Sequence, residues 1–139
     1  MDIYAENILD HYKHPHHKVR LPSPAVSYTE VNTSCGDTLT LDLTIEDGII
    51  TALGWTGEGC AISQSGMSIL ADELIGKSLA DVDTFTADLM KTMLGVPVGT
   101  RRLKCAFLSL HTLKNALHTH RNEPVQGWQE TVNGAVHGD

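Results

Sequence analysis

The sequence is poor in cysteine, in large aromatic residues and in long apolar stretches. It has three cysteines, two phenylalanines and two tryptophans among 139 residues, so aliphatic side chains must fill most of the core. An odd cysteine count does not suit a framework in which every thiol is paired. No apolar run approaches the ~20 residues of a membrane span, and residues 1–10 lack the basic and apolar segments of an export signal. We therefore expect a cytoplasmic protein with reduced thiols and no membrane partner.

Positive charge is scarce as well. Ten Lys and Arg residues stand against 17 Asp and Glu residues, for a formal net charge of -7. Nonspecific binding of nucleic acid needs an excess of basic side chains on the surface. We therefore expect no nucleic-acid partner, although Arg101, Arg102 and Lys104 form one dense basic group.

The order of predicted elements indicates an α+β fold. Four segments have helical spacing of apolar residues or helix-ending residues: Asp2–Lys13, Ile62–Ile75, Ser78–Leu94 (with a break near Asp83) and Leu103–His120. Three segments before the last three helices are predicted strands: Ala25–Thr33, Thr38–Ile45 and Ile49–Thr56. Strands followed by helices predict a three-stranded antiparallel sheet covered on one face by helices.

Two details of this prediction concern the hairpin and the C-terminus. Asp47-Gly48 is a strong signal for a two-residue hairpin turn. Unbroken alternation after this turn puts Ile49, Leu53 and Trp55 on one face of the return strand. Residues 1–120 then form one domain, whereas residues 121–139 have little periodicity and are predicted to be a flexible C-terminal tail.

The three cysteines all fall at the ends of predicted elements. Cys35 precedes the clearest strand, Cys60 begins a helix, and Cys105 lies in the first turn of the last helix. Asp37 stands two residues after Cys35, so the two side chains point the same way on an extended segment. Three sulfurs and one oxygen suit a tetrahedral zinc site or the edge of an iron–sulfur cluster. A lone cysteine is commonly just a small buried apolar residue, so residue chemistry leaves both a shared site and separate burial open.

Local charge favours thiolate chemistry at two of these positions. A helix N-terminus carries partial positive charge, which favours the thiolate forms of Cys60 and Cys105. Arg102 and Lys104 add cations beside Cys105, although solvated charges are the commoner role of such residues. Asp37 has a plainer role available too, because an aspartate after a glycine often caps or turns the chain.

A histidine cluster surrounds Pro15 and suggests a second metal site. His14, His16 and His17 lie within four positions of one another. No cysteine or carboxylate stands beside them in the sequence, so a solvated loop after the first helix is the favoured interpretation.

Four motifs in this order resemble the NifU N-terminal/IscU/SufU family. The resemblance runs from about Ile3 to His120 and depends on these segments: His11-Tyr12-Lys13-His14-Pro15, Ser34-Cys35-Gly36-Asp37, Gly57-Glu58-Gly59-Cys60-Ala61-Ile62-Ser63 and Lys104-Cys105-Ala106.

The resemblance implies a scaffold that receives persulfide sulfur from a pyridoxal-phosphate cysteine desulfurase. Carried over by position, the ligands are Cys35, Asp37, Cys60 and Cys105. IscU-like members assemble a [2Fe–2S] cluster on the cysteines for downstream apo iron–sulfur proteins or carriers, and the aspartate helps to keep it transferable. SufU-like members bind zinc through the same set. We expect Cys35 to be the sulfur acceptor, because its glycine-flanked loop should be the most mobile, and we expect a scaffold rather than an enzyme.

Three departures from the family patterns keep alternatives open. IscU-like proteins have histidine where this chain has Lys104, and their Leu-Pro-Pro-Val-Lys chaperone motif is not intact in Gly95–Thr100. The segment between Cys60 and Cys105 lacks the extra stretch of SufU-like proteins. An iron–sulfur scaffold, a zinc-dependent sulfurtransferase and a domain with a purely structural zinc therefore all remain hypotheses.

Overall fold

The structure, a computed structural model, describes residues 3–34 and 36–133. They form a three-stranded antiparallel sheet, six α-helices and a 3₁₀ turn at Thr100–Arg102. The strands are β1 (Val26–Asn32), β2 (Asp37–Glu46) and β3 (Ile49–Glu58). The helices are α1 (Ile3–Lys13), α2 (Ala61–Leu74), α3 (Leu79–Asp83), α4 (Ala87–Leu94), α5 (Leu103–His120) and α6 (Trp128–Asn133). Within these residues no helix combines the length and apolar character needed to cross a membrane.

The sheet has the order β1-β2-β3, with every neighbouring pair antiparallel. Leu39, Leu41 and Leu43 of β2 are fully buried, because alternate side chains of the central strand point toward the helices. Helix α5 packs against β1, β2 and α2. The predicted fold class, an antiparallel three-stranded sheet with helices, is therefore confirmed.

The β2–β3 hairpin contains the predicted turn and an unpredicted bulge. Asp47 and Gly48 both have positive φ, 53° and 73°, as a two-residue hairpin turn of the primed type requires. Ile45 pairs with Ile50, but Thr44 pairs with Ala52, so β3 contains one extra residue. This residue reverses the alternation, and Ile50 is fully buried while Ile49 is only half-buried. The expectation that Ile49 shares the face of Leu53 and Trp55 is therefore wrong.

The linker between α1 and β1 covers the outer edge of β3. The backbone N–H of Trp55 donates to the carbonyl of His17 (3.1 Å), and its indole N–H donates to the carbonyl of His16 (2.8 Å). These contacts satisfy groups that an edge strand would otherwise expose. At Gly54 an added Cβ would overlap the carbonyl of Val19, so the close approach of the linker requires glycine there.

A buried carboxylate lies beneath this linker on the sheet face opposite the helices. Asp42 of β2 is fully buried. It accepts hydrogen bonds from the Arg20 guanidinium (2.6 Å), the Ser27 hydroxyl (2.6 Å) and the Leu21 backbone N–H (3.0 Å). Burial alone would raise the pKa of Asp42, but these three donors outweigh it and lower that pKa.

The segment after His120 contains the short helix α6, where the sequence predicted a flexible tail. Trp128 stacks on the ring of His111 in α5, with 4.0 Å between ring centroids, and Thr131 is buried and hydrogen-bonded to His111 at 2.6 Å. Six residues, fewer than two helical turns, are too few to show clear periodicity, so tertiary contacts, not sequence pattern, place α6. A division of the chain at residue 120 stays a prediction, and residues 134–139 lie outside the described part.

We predict that Asp42→Asn lowers the free energy of unfolding by about 1.5–3 kcal/mol at pH 7, because the buried carboxylate loses its charged hydrogen bonds to Ser27, Leu21 and the half-exposed Arg20. Urea unfolding followed by circular dichroism measures the change. Asp10→Asn, at an exposed aspartate, serves as the control and should change stability by less than about 0.5 kcal/mol.

The difference between wild type and Asp42→Asn should depend on pH. Because the folded-state pKa of Asp42 is lowered, its stabilising contribution is complete above the unfolded pKa of about 3.9. It is lost as the pH falls through the lower folded value. A difference that stays constant from neutral pH to well below this range would contradict the ion-pair explanation.

Candidate metal centre

The register of the β2–β3 hairpin brings Asp37 next to the start of α2. Thr38 pairs with Glu58, so one further step along both strands places Asp37 at the level of Gly59. Cys60 follows directly and is the N-cap residue of α2. Two residues that are 23 positions apart in the chain therefore become neighbours through strand pairing alone.

The Asp37 carboxylate is held against Cys60 by both of its oxygens. Oδ1 accepts the backbone N–H of Cys60 at 3.1 Å, and the Sγ of Cys60 lies 3.7 Å from Oδ2. Asp37 is only 2% exposed, whereas Cys60 is half-buried. A carboxylate is favourable here, because the N-terminus of a helix presents unpaired N–H groups and partial positive charge.

Helix α5 contributes the third side chain. Cys105 lies in its first turn and is 7% exposed. One potential ligand atom from each of Asp37, Cys60 and Cys105 lies within 4.8 Å of the other two. Three of the four predicted ligands thus converge in one place. Cys35 lies outside the residues that the structure describes, and its membership of the group stays a prediction.

The donor set fits the metals that the resemblance implies. Two thiol sulfurs and one carboxylate oxygen suit zinc or iron bound with sulfide. Ligand atoms about 2.0–2.3 Å from one tetrahedral Zn²⁺ lie about 3.3–3.8 Å apart. The three atoms here lie within 4.8 Å of one another, so shared coordination requires side-chain movements of about 1 Å at most.

Gly59 leaves the space that the Asp37 carboxylate occupies. A Cβ added at Gly59 would lie 2.6 Å from Cγ of Asp37 and 2.8 Å from Oγ of Ser63. Ser63 in turn donates its hydroxyl hydrogen to the carbonyl of Cys60 at 3.1 Å, which supports the first turn of α2. The sequence showed a glycine beside Cys60, but its steric role toward Asp37 became visible only in the folded chain.

The basic residue before Cys105 contacts the C-terminal helix. The ammonium of Lys104 lies 5.8 Å from the centroid of the Trp128 ring, a distance typical of a cation–π interaction. Arg102 is exposed. Helix α6 therefore reaches the side chain next to the candidate site, a contribution that the prediction of a flexible tail missed.

The family follows from comparison with known proteins. Residues 3–126 match the NifU-like N terminal domain. The chain belongs to this family. The resemblance seen in the four sequence motifs is therefore confirmed, and the match extends beyond His120 into the segment that precedes α6.

Curated relatives of the chain include both a cluster assembly scaffold and a zinc-dependent sulfurtransferase. The chain is 29% identical over 131 residues to the iron–sulfur cluster assembly scaffold protein IscU of Thermotoga maritima, covering 83% of this chain and 92% of the relative. It is 26% identical over 132 residues to the zinc-dependent sulfurtransferase SufU of Bacillus subtilis, covering 83% and 89%. A putative SUF-system scaffold from Fervidobacterium islandicum has a similar structure, with a TM-score of 0.72, 25% identity and coverage of 81% and 94%.

We predict that Gly59→Ala weakens Zn²⁺ binding by about tenfold or more, without removing any ligand. The added methyl group must displace the Asp37 carboxylate, and disturbed support of a ligand typically costs 10–100-fold in metal affinity, roughly. Competition with a chromophoric chelator measures the affinity.

Gly76→Ala is the matched control, because Gly76 also has a positive φ (90°) but open space around its Cα. Its zinc affinity should equal that of the wild type. Equal affinities for all three proteins would show that the position of Asp37 does not matter for the metal.

Proposed function

We propose that this protein is an iron–sulfur cluster assembly scaffold that accepts sulfur from a cysteine desulfurase. The observation that supports the proposal best is the position of a buried carboxylate, Asp37, beside the thiols of Cys60 and Cys105. Membership of the NifU-like family supports the same role. Cys35, Asp37, Cys60 and Cys105 are the proposed ligands, and downstream apo iron–sulfur proteins or carriers are the proposed recipients.

The arrangement suits a cargo that is held and then released. Thiolates bind soft metals strongly, whereas a carboxylate oxygen is a harder and weaker ligand for them. Asp37 is kept in place by the N–H of Cys60, so its oxygen can leave the metal without the loop unfolding. The half-buried Cys60 lies toward solvent, while Cys105 is covered, which leaves one side of the group accessible.

Sulfur enters by exchange between a persulfide and a thiolate. The thiolate of Cys35 attacks the terminal sulfur of the desulfurase persulfide; a new S–S bond forms on Cys35 as the donor's S–S bond breaks. The donor cysteine leaves as a thiolate, so no net oxidation takes place. Release as sulfide needs two electrons, which an external dithiol supplies while it becomes a disulfide. The protein is then a carrier and assembly platform in the cytoplasm rather than an enzyme.

A zinc-dependent sulfurtransferase is the second candidate function. Two observations favour this function. Lys104 stands before Cys105, where IscU-like proteins have histidine, and the chain is similar to a protein named SufU. In that case zinc holds the thiolates and Cys35 exchanges between metal and persulfide. A purely structural zinc is the third candidate, because four protein ligands would also complete a closed structural site.

Metal content and desulfurase stimulation separate these functions. For the scaffold we expect protein purified without oxygen to contain iron and acid-labile sulfide with visible absorbance; one tightly bound zinc would instead favour the sulfurtransferase. In both cases Cys35→Ala should abolish stimulation of a cysteine desulfurase. Intact stimulation in this variant, with normal metal content, would leave only a structural site.

We predict that Asp37→Ala remains folded but transfers its cluster or metal more slowly to an acceptor, because the weak oxygen ligand is gone. Transfer to an apo-ferredoxin, followed by absorbance, measures the rate. Asp88→Ala, at an exposed position of α4, is the control and should behave as wild type. Unfolding of Asp37→Ala at normal metal content would show that the carboxylate serves the fold instead.

A further inference from the structure

A second group of metal-binding side chains lies near the opposite end of α2 from Cys60. It consists of His11 in α1, His16 in the linker and Asp72 in α2, with one potential ligand atom from each within 4.8 Å of the other two. Helix α2 rises about 1.5 Å per residue, so Asp72 lies about 18 Å along the axis from Cys60. The two groups are therefore separate. We propose that His11, His16 and Asp72 form a second site, for a divalent transition metal of the zinc type.

The two rings have different hydrogen-bond partners: a buried hydroxyl outside the group for His11, and the carboxylate of the group itself for His16. Nδ1 of His11 lies 2.7 Å from Oγ of Ser68, and Nδ1 of His16 lies 2.7 Å from Oδ2 of Asp72. Histidine ligands commonly donate one ring N–H to a hydroxyl, carbonyl or carboxylate, and this bond orients the other nitrogen toward the metal. The Ser68 contact can orient the His11 ring in this way. An ion shared by His16 and Asp72 would instead take the place of their 2.7 Å contact, with Nδ1 as the ligand atom of His16.

The backbone of His16 is held in place on both sides of its side chain. Its N–H donates to Oγ of Ser68 at 2.7 Å, and its carbonyl accepts the indole N–H of Trp55 at 2.8 Å. Ser68 is fully buried. The ring of His16 consequently starts from a fixed position, with 4.5 Å between its centroid and that of His11. Such preorganisation reduces the entropy lost when a metal binds.

Burial and accessibility are distributed as an exchangeable site requires. His11 is 8% exposed. Its burial, and to a smaller degree the neighbouring His16, lower the pKa of His11. A lower pKa favours the neutral imidazole that binds metals. His16 and Asp72 reach solvent, so an ion has an entry path. His17, whose Nε2 lies 3.5 Å from Oδ1 of Asp72, stands beside the group as a possible fourth ligand.

The donor chemistry defines the class of ion. Imidazole nitrogens suit zinc, copper and nickel, whereas calcium and magnesium prefer all-oxygen sites. No thiol belongs to the group, so its ligand field differs from that of the cysteine site. The sequence grouped His14 with His16 and His17 and favoured a solvated loop; the folded chain instead brings His11 and the distant Asp72 to His16.

Co²⁺ binding to the full-length, reduced protein tests the proposal. After the thiolate site is filled with one equivalent of Zn²⁺, we expect added Co²⁺ to give visible bands without sulfur-to-cobalt charge transfer in the near ultraviolet. His16→Ala should weaken this thiolate-free binding by about tenfold or more. His14→Ala, an exposed histidine two positions away, should leave it unchanged.

Two results would overturn the proposal: no thiolate-free Co²⁺ binding in the wild type, or equal weakening by His14→Ala and His16→Ala, which indicates weak binding to scattered surface histidines. Should His16→Ala fail to fold, a measurement on the wild type alone decides.

Long-range ¹H–¹⁵N spectra of the wild type should show the ring nitrogens of His11 and His16 shifting together on addition of Zn²⁺. Unshifted ring nitrogens there would end the proposal as well. Neither measurement requires cluster assembly at the cysteine site, because Zn²⁺ fills that site first.

Discussion

The hydrogen bond from the backbone N–H of Cys60 to the carboxylate of Asp37 joins the sheet to the helical layer at the functional end of the molecule. It exists because the strand register puts the start of β2 beside the end of β3. It also satisfies an N–H at the start of α2 and fixes an oxygen next to two thiols. The same hydrogen bond therefore stabilises the start of α2 and positions a candidate ligand. Any change in the hairpin register would separate the carboxylate from the cysteines.

Helix α2 connects the two groups of metal-binding residues. Its N-terminus carries Cys60, its middle contributes the buried hydroxyl of Ser68, and its last turns carry Asp72. The linker after α1 packs against the same helix and against the edge of β3. One side chain of this helix holds two other segments in place: the hydroxyl of Ser68 contacts the His11 ring of α1 and accepts the backbone N–H of His16 in the linker.

Several features were predictable because they depend on short-range pattern. The alternation of leucines in β2, the Asp47-Gly48 turn and the bounds of α5 all follow from residues that are neighbours in the chain. The bulge between β2 and β3 was not predictable, because an extra residue leaves no mark in the alternation of a short strand. Helix α6 was missed for a related reason: it is held by stacking of Trp128 on His111, and this contact is invisible in a six-residue window.

The sequence by itself determined the order of elements from α1 to α5, the family, and the cysteine and aspartate residues able to hold a metal or sulfur at the first site. Only the tertiary structure decided which of them meet. The bulge shifts the pairing by one residue, and this shift brings Asp37 level with Gly59 and next to Cys60. Likewise, His16 meets Asp72 across 56 positions of chain. Periodicities of 2 and 3.6 residues describe the faces of single elements, whereas distances between elements depend on how the whole core packs.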